Sequence, residues 1–394
     1  MPARAGTAAL TAQIAPIAAI TLFGVSMAMS YPLFGLVIDR AGGSGTLIGL
    51  NSAAAAVATV AGAPVLPPML RRFGLGPLMI AAALMLAATM LMIPLIESFW
   101  YWTALRFLFG VAGTVLFFAS EYWIVAAAPE FSRGRIIAVY ALSVSAGFAL
   151  GPALLGLTGL EGTLPFAVGA AVVLAGLLPI LCGLANAPDV ADDRQSLPFA
   201  ALGMFASDPT VVFAVVLFGT IEFGAMSLIA VWGVRSGLTE AEAALLLTAF
   251  AIGSMVLQLP LGWAADRFDR KAVLAVVAAG SAAAPVGMTL AGSSFGLMVF
   301  IVGCWGAISV GLYTIALTEL GARYQGARLA DANAAIILGY GIGALVSPTL
   351  FGWAMDTVPP DGLMIAAAAL ALLYLALVAA RMARPRSPLT GGGG

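Results

Sequence analysis

Four charged residues stand inside stretches of sequence that are otherwise almost wholly apolar, although charged residues make up only 9% of the chain. They are Arg106, Glu121, Glu222 and Glu319. Because the chain contains no histidine, a carboxyl group is the best candidate to bind and release a proton near neutral pH. Surroundings poor in water favour the neutral form of a carboxyl group and so permit this exchange. Glu222 is therefore the predicted proton carrier and Glu121 the second candidate; the alternative for Glu222 is a glutamate that stays protonated and bonds to a backbone carbonyl.

Arg106 keeps its charge under ordinary conditions. Its predicted roles are to favour the ionised form of a nearby carboxyl, to form an ion pair that breaks when a ligand enters, or to bind an anionic group of that ligand. The alternative is a packing role, in which its donors bond to backbone carbonyls of a neighbouring helix. Large side chains on the same helix faces complete a predicted ligand surface, although aromatic residues in membrane helices more often pack or lie at the interface. The predicted ligand-binding residues are Arg106, Tyr31, Phe117, Phe218, Met226 and Trp305.

The composition indicates the surroundings of these charges. Hydrophobic residues make up 62% of the chain and the mean hydropathy is +1.07, which is too apolar for a protein surface in water. A helix needs about 20 apolar residues to cross the hydrocarbon core of a bilayer. Twelve stretches meet this need: 12–36, 46–68, 75–96, 99–126, 135–158, 163–186, 208–234, 240–264, 271–292, 295–320, 328–354 and 361–382. The sequence therefore predicts an all-α integral membrane protein with twelve transmembrane helices, and Glu222 lies near the middle of the seventh.

The basic residues are distributed unevenly between the loops. If the N-terminus is cytoplasmic, every lysine and arginine except Arg40, Arg106 and Arg235 falls on the cytoplasmic side, which is 14 of the 17. Cytoplasmic loops of membrane proteins carry such an excess of positive charge. The pattern predicts a membrane protein with both termini in the cytoplasm.

The sequence also repeats itself at offsets of 195 to 197 residues. Three short matches carry the repeat: Ala28-Met29-Ser30 with Ala225-Met226-Ser227, Arg71-Arg72-Phe73 with Asp266-Arg267-Phe268, and Gly151-Pro152 through Gly156 with Ser347-Pro348 through Gly352. Three matches at nearly one spacing indicate two parallel repeats of six helices. The predicted units are residues 1–186 and 208–394, joined by a polar cytoplasmic linker at 187–207.

Several of these motifs resemble those of a known family. The stretch Gly262-x-x-x-Asp266-Arg267-x-x-Arg270-Lys271 is similar to the loop motif of the major facilitator superfamily, with Asp269 where a glycine is usual. Arg106-x-x-x-Gly110 resembles the superfamily's helix-4 motif, and Gly147-x-x-x-Gly151-Pro152-x-x-x-Gly156 resembles the helix-5 motif of its drug:proton antiporters. Stretches such as Glu121-Tyr-Trp123 look most like the YcaD-type bacterial branch. The resemblance implies the major facilitator fold of two pseudo-symmetric six-helix bundles, with helices 1, 4, 7 and 10 around a central cavity.

In this family the loop aspartate of one half meets the start of a helix in the other half, where the positive helix end favours an anion. Arg71 occupies the aspartate position of the first half, which departs from the pattern. Alignment of the halves pairs Asp266 with Arg135 and Arg71 with Asp331, so both predicted contacts join opposite charges. We expect these charges to form a latch that closes the cytoplasmic side of the protein in its outward-facing state. The predicted latch residues are Arg71, Arg72, Arg135, Asp266, Arg267, Arg270, Glu319 and Asp331. Glu121 is expected to pair with Arg72, and Glu319 with Arg267 or Arg270. The alternative to the latch is that these charges only set the topology and remain solvated in the loops, where each pair contributes about 0–1 kcal/mol.

These features narrow the function. No GxxxxGK[ST] loop occurs, which excludes an ATP-driven pump, and neither a cofactor, a metal site nor a nucleic-acid partner is predicted. The prediction is a monomeric secondary transporter that exports a small amphipathic or weakly charged organic compound by alternating access, driven by protons. A proton symporter, an uncoupled facilitator and a non-transporting scaffold are the alternatives. A scaffold has no need of buried charge, so Arg106 and Glu222 disfavour it.

Overall fold

The structure is a computed structural model that describes residues 2–62, 65–129, 133–188, 205, 208–292, 294–323 and 327–383. These residues form α-helices joined by short turns, and they include no β-strand. The helices are α1 (Pro2–Arg40), α2 (Gly45–Gly62), α3 (Leu66–Phe73), α4 (Leu75–Met92), α5 (Phe99–Ala127), α6 (Arg133–Thr158), α7 (Leu164–Gly183), α8 (Pro209–Arg235), α9 (Glu240–Val256), α10 (Gln258–Arg267), α11 (Arg270–Leu290), α12 (Phe295–Arg323), α13 (Ala327–Thr357) and α14 (Gly362–Ala383). The predicted linker at 187–207 lies outside the described residues apart from 187, 188 and 205.

Twelve segments within the described residues are long and apolar enough to cross a membrane, which confirms the predicted all-α membrane fold. The end of the second span differs from the prediction. The second span ends at Gly62 rather than near residue 68, and the separate short helix α3 carries Arg71 and Arg72. The eighth span is interrupted at Leu257, because Pro260 lacks the backbone N–H that an unbroken helix requires.

Polar residues explain where α9 and α11 begin. Thr239 and Glu242 form a capping box at the start of α9: the Thr239 hydroxyl accepts from the Glu242 amide, and the Glu242 carboxylate accepts from the Thr239 amide. Asp269 caps α11 by accepting a hydrogen bond from the Ala272 amide at 3.0 Å. One of the five charged residues at 266–271 is thus a helix cap.

Each half is built around one closely packed helix pair. In the N-terminal half, Gly147 and Gly151 of α6 lie against the backbone of α1 at Thr21 and Val25. In the C-terminal half, Gly343 of α13 lies in the same way against the backbone of α8. The absence of a side chain at these positions lets the helix backbones approach, so the repeated glycines serve close packing in both halves.

The two halves meet where α1 ends and α2 begins. Gly352 of α13 lies against the backbone of Gly45 in α2, and Gly49 of α2 lies against Pro348 of α13. The equivalent glycine of the other half, Gly156, lies against α9. We call this end of the bundle, at residues 39–46, 235–241 and 352–356, the closed end.

Candidate functional site

Glu222 belongs to a polar and aromatic cluster in the middle of the bundle. Tyr340 of α13 donates a hydrogen bond from its hydroxyl to the Glu222 carboxyl of α8 at 2.6 Å. Both side chains are half-buried. A hydroxyl can donate to an ionised carboxyl and accept from a protonated one, so this pair can be satisfied in either protonation state.

Arg106 lies on α5 next to Tyr31 of α1. It is 1% exposed, and its Nη1 donates to the Ser30 hydroxyl at 2.8 Å. The guanidinium carbon lies 4.5 Å from the ring centre of Tyr31, 5.1 Å from that of Phe34 and 5.7 Å from that of Phe109. Ring faces attract a cation, and the attraction is stronger where water is excluded.

Aromatic rings connect the arginine to the carboxyl. Tyr31 of α1 meets Phe223 of α8 edge to face with ring centres 6.3 Å apart, and Phe223 meets Tyr340 in the same way at 5.6 Å. Further rings pack on Tyr340 from α8 and α12. The central cluster therefore draws on both halves of the chain, and its members are Tyr31, Arg106, Phe218, Glu222, Phe223, Tyr313 and Tyr340.

The structure brings together four of the residues predicted for the site, namely Tyr31, Arg106, Phe218 and Glu222. Trp305 lies elsewhere: it is 0% exposed and packs edge to face on Phe250, with ring centres 5.6 Å apart. Three other predicted residues also lie outside the central cluster. Phe117 packs against a small core of α1, α5 and α6, Met226 packs against the main core, and Glu121 is exposed.

Sequence reasoning missed Phe223, Tyr313 and Tyr340. Tyr340 had one usable signal, because it lies between Gly339 and Gly341 in an apolar stretch and glycines leave space beside a large ring. Phe223 and Tyr313 had no such signal. Aromatic residues in a membrane helix look alike in sequence whether they face lipid, core or cavity.

Two charges of the predicted latch, Arg270 and Glu319, pair with each other within the C-terminal half. Glu319 accepts from Arg270 at 3.0 Å and also pairs with Arg323, which binds Asp208 at 2.6 Å. One of the two partners expected for Glu319 is therefore present. Because Arg270 and Glu319 both belong to the C-terminal half, their contact stabilises the ends of α11 and α12 and does not join the halves.

Two members of the predicted latch lie outside the described side chains, namely Arg135 and Asp331. The pairs Asp266 with Arg135 and Arg71 with Asp331 thus stay predictions. The cations Arg267 and Arg72 lie over the rings of Trp263 and Phe73, at 5.0 Å and 5.4 Å from the ring centres.

The described ion pairs between the halves lie at the closed end. Arg40 binds Glu240 at 2.6 Å, and Arg235 binds Asp39 at 2.8 Å. Sequence reasoning set both arginines aside as exceptions to the charge asymmetry. They are 195 residues apart, which matches the repeat offset and would have marked them as an equivalent pair.

Asp356 adds a contact between a carboxylate and a helix start at this end. It accepts from the amides of Gly45 and Thr46 at 2.7 and 2.8 Å, and from the Thr46 hydroxyl at 2.6 Å. Asp356 belongs to α13, whereas Gly45 begins α2 in the other half. A carboxylate is favoured at the positive start of a helix. The contact that was expected in the cytoplasmic latch, between a carboxylate of one half and a helix start of the other, is thus present at the closed end.

Comparison with known proteins identifies related sequences along the whole chain. The family model described as Major Facilitator Superfamily matches residues 16–239 and 211–393. The uncharacterized MFS-type transporter YfkF of Bacillus subtilis (strain 168) is 26% identical over 381 residues, covering 93% of this chain and 94% of YfkF. The uncharacterized MFS-type transporter YcaD of Salmonella enteritidis PT4 is 24% identical over 328 residues, covering 82% and 83% of the two chains.

Solved structures share the fold at low sequence identity. The nucleoside transporter NupG superposes with a TM-score of 0.77 at 13% identity, covering 96% of this chain and 100% of NupG. A D-xylose-proton symporter superposes with a TM-score of 0.72 at 13% identity, covering 94% and 97%. These likenesses establish two bundles of six helices.

Proposed function

The chain belongs to the major facilitator superfamily, and from this we propose that it is a proton-coupled exporter of a small organic compound. Members of this family are secondary transporters rather than enzymes, and the relatives named above carry transporter names. The protein is a multi-pass membrane protein of the kind found in bacteria. The proposal places it in the inner membrane as a monomer, with its arginine-rich loops and both termini in the cytoplasm.

The observation that carries the proposal is the pair of Glu222 and Tyr340 in the central cluster. An ionisable side chain inside a membrane is costly and is usually retained for function. Here the carboxyl lies among residues from both halves, where a bound compound would contact it. A proton on Glu222 and a compound in the cluster would therefore influence each other's binding, which is the basis of coupled transport.

Alternating access follows from rocking of residues 1–186 against residues 208–394. In the structure the closed end holds the halves together through partly exposed ion pairs and through glycine contacts. Exposed ion pairs contribute about 0–1 kcal/mol each, so they can break within a transport cycle. In the opposite state the predicted latch, including Arg71, Arg135, Asp266 and Asp331, would close the other end.

The proton gradient supplies enough free energy for accumulation or export. One proton gains about 2.3 kcal/mol per 100 mV and about 1.4 kcal/mol per pH unit. At 100 mV and a difference of one pH unit, the two contributions together sustain a roughly 500-fold gradient of a neutral solute. A symporter is the second candidate, because the same carboxyl can couple import and a proton symporter shares the fold.

The test is the direction of proton movement in liposomes that contain the purified protein and an internal pH-sensitive dye. Cationic, neutral and anionic compounds are added outside in turn. Export by antiport predicts that an active compound enters in exchange for internal protons, so the interior becomes more alkaline than in protein-free liposomes. Acidification would instead establish symport, and uptake without a pH change would overturn proton coupling.

Tyr340 offers a graded test of the same site. Tyr340→Phe removes the hydroxyl that bonds Glu222 but keeps the ring, so we expect the initial rate of proton flux to fall by about 3- to 10-fold, the equivalent of one hydrogen bond. Tyr374→Phe is the matched control, because its hydroxyl bonds the backbone oxygen of Thr210 instead. Equal rates for the two variants would contradict a role for Tyr340.

A further inference from the structure

Arg106 is a buried cation without a counter-charge among the described residues. Among the described residues, no carboxylate lies within 4.0 Å of its guanidinium nitrogens. Glu222, the carboxyl of the same cluster, is bound by Tyr340 and not by Arg106. The one hydrogen-bond acceptor of Arg106 in that part of the chain is the neutral Ser30 hydroxyl. Its Nε is fully buried and has no acceptor among the described residues. A guanidinium has five N–H donors, so most of its capacity to bind an acceptor is unused.

This arrangement is unusual because a buried charge normally has a partner. Removing a cation from water is costly, and proteins offset the cost by pairing it or by hydrogen bonds. The rings of Tyr31, Phe34 and Phe109 supply part of the compensation through their negative faces. The rings supply no hydrogen-bond acceptor for the N–H groups. The positive charge therefore lacks an anionic partner, and most of the N–H donors lack an acceptor.

The surroundings indicate where the missing partner would lie. Tyr31, directly beside the guanidinium, also packs on Phe223, and Phe223 packs on Tyr340, which bonds Glu222. Arg106 therefore borders the same central cluster as the proposed proton carrier. No other lysine or arginine belongs to the described cluster, so the site offers one positive charge.

We propose that the transported compound carries a single negative charge, a carboxylate on an apolar body, and that Arg106 binds this group. The inference rests on the proposed function, since it takes the central cluster as the transport site. A carboxylate accepts two parallel N–H bonds from a guanidinium, which would use the free donors. The apolar body would lie along the rings of Tyr31, Phe223 and Tyr340.

The charge of the compound has a consequence for transport. Exchange of one inward proton for one outward monoanion moves two positive charges inward per cycle. Exchange of a proton for a monovalent cation moves none, and exchange for a neutral compound moves one. Electrical current recorded from a protein-containing membrane, divided by the proton flux, would therefore be about 2 for this class of substrate.

The experiment is a binding measurement with matched probes on the full-length purified protein. Benzoate is compared with benzamide and hexanoate with hexanamide, because each pair shares its shape and differs in charge. Binding is followed by the shift in melting temperature over a concentration series. We expect the carboxylates to stabilise the wild type and the amides to have at most a tenth of their affinity.

The variants identify the residue. Arg106→Gln should weaken carboxylate binding about tenfold or more, the effect of removing one partner of a buried charge pair, and Arg106→Lys should lie between the two. Arg381→Gln at the end of α14 is the matched control and should bind as the wild type does. Equal binding of amides and carboxylates, no stabilisation by any carboxylate, or unchanged binding by Arg106→Gln would each overturn the proposal.

A second measurement needs no substitution at Arg106. The ratio of electrical current to proton flux in the wild type should be about 2 for the transported compound, and a ratio of 0 or 1 would overturn the proposal. Glu222→Gln separates this proposal from the proposed function. If that variant binds carboxylates normally, and no compound moves protons through the wild type, then proton coupling fails and the anion site stands.

Discussion

Glu222→Gln is expected to reduce compound-driven proton flux to the level of protein-free liposomes while compound exchange persists. Glutamine has the shape of a protonated glutamate and can still bond to Tyr340, but it cannot release a proton. The variant would behave as a transporter held in its proton-loaded form. Two measurements in the same liposomes check this: dye-reported proton flux, and exchange of labelled compound between equal internal and external concentrations.

The control for this result is a glutamate outside the bundle. Glu97 is exposed in the turn before α5, so Glu97→Gln should leave both proton flux and exchange unchanged. If Glu222→Gln retained proton flux, another carboxyl would be the carrier. Glu121 would then be the first to test, since it was the second candidate in the sequence.

The helices and their repeat were accessible from the sequence because both are local properties. A run of about 20 apolar residues specifies a membrane helix regardless of its neighbours. The repeated glycines, such as Gly156 and Gly352, required only a comparison of the chain with itself. Charge inside such a run is rare enough that Arg106 and Glu222 stood out before any packing was known.

The partners of those residues depend on contacts between helices that are far apart in the sequence. Tyr340 lies 118 residues from Glu222, and no local pattern connects them. Trp305 is the opposite case, because the sequence predicted it for the ligand site and the structure places it outside the central cluster. It shares a helix face with Glu319, yet the ring is fully buried against Phe250 of α9, because a face that looks inward can meet either a cavity or a neighbouring helix.

The contacts at the closed end divide into two kinds that respond differently to substitution. Ion pairs such as Arg40 with Glu240 are partly exposed and contribute about 0–1 kcal/mol each. The glycine contacts between α2 and α13 are tight, since a Cβ on Gly49 or Gly352 would overlap the backbone of the opposite helix. The fit of the two backbones, rather than the ion pairs, should therefore decide whether this end can close.

Gly352→Val is accordingly expected to shift the protein away from closure at this end by about 5- to 150-fold, because overpacking of a tight contact costs about 1–3 kcal/mol. Transport should fall by a similar factor. A cysteine that replaces Ile48, which is 1% exposed beside the contact, should react with maleimide at least about tenfold faster in this variant. The background for labelling is the chain with Cys182 and Cys304 replaced by serine.

Gly296→Val supplies the matched control, because a Cβ at Gly296 meets nothing within 4 Å. It adds the same side chain to a membrane helix and should leave both transport and the labelling of the Ile48→Cys position unchanged. Slow labelling together with full transport in Gly352→Val would mean that α2 and α13 tolerate separation and still close. In that case the ion pairs of Asp39, Arg235 and Asp356 would hold the end shut, and their neutralisation would have the larger effect.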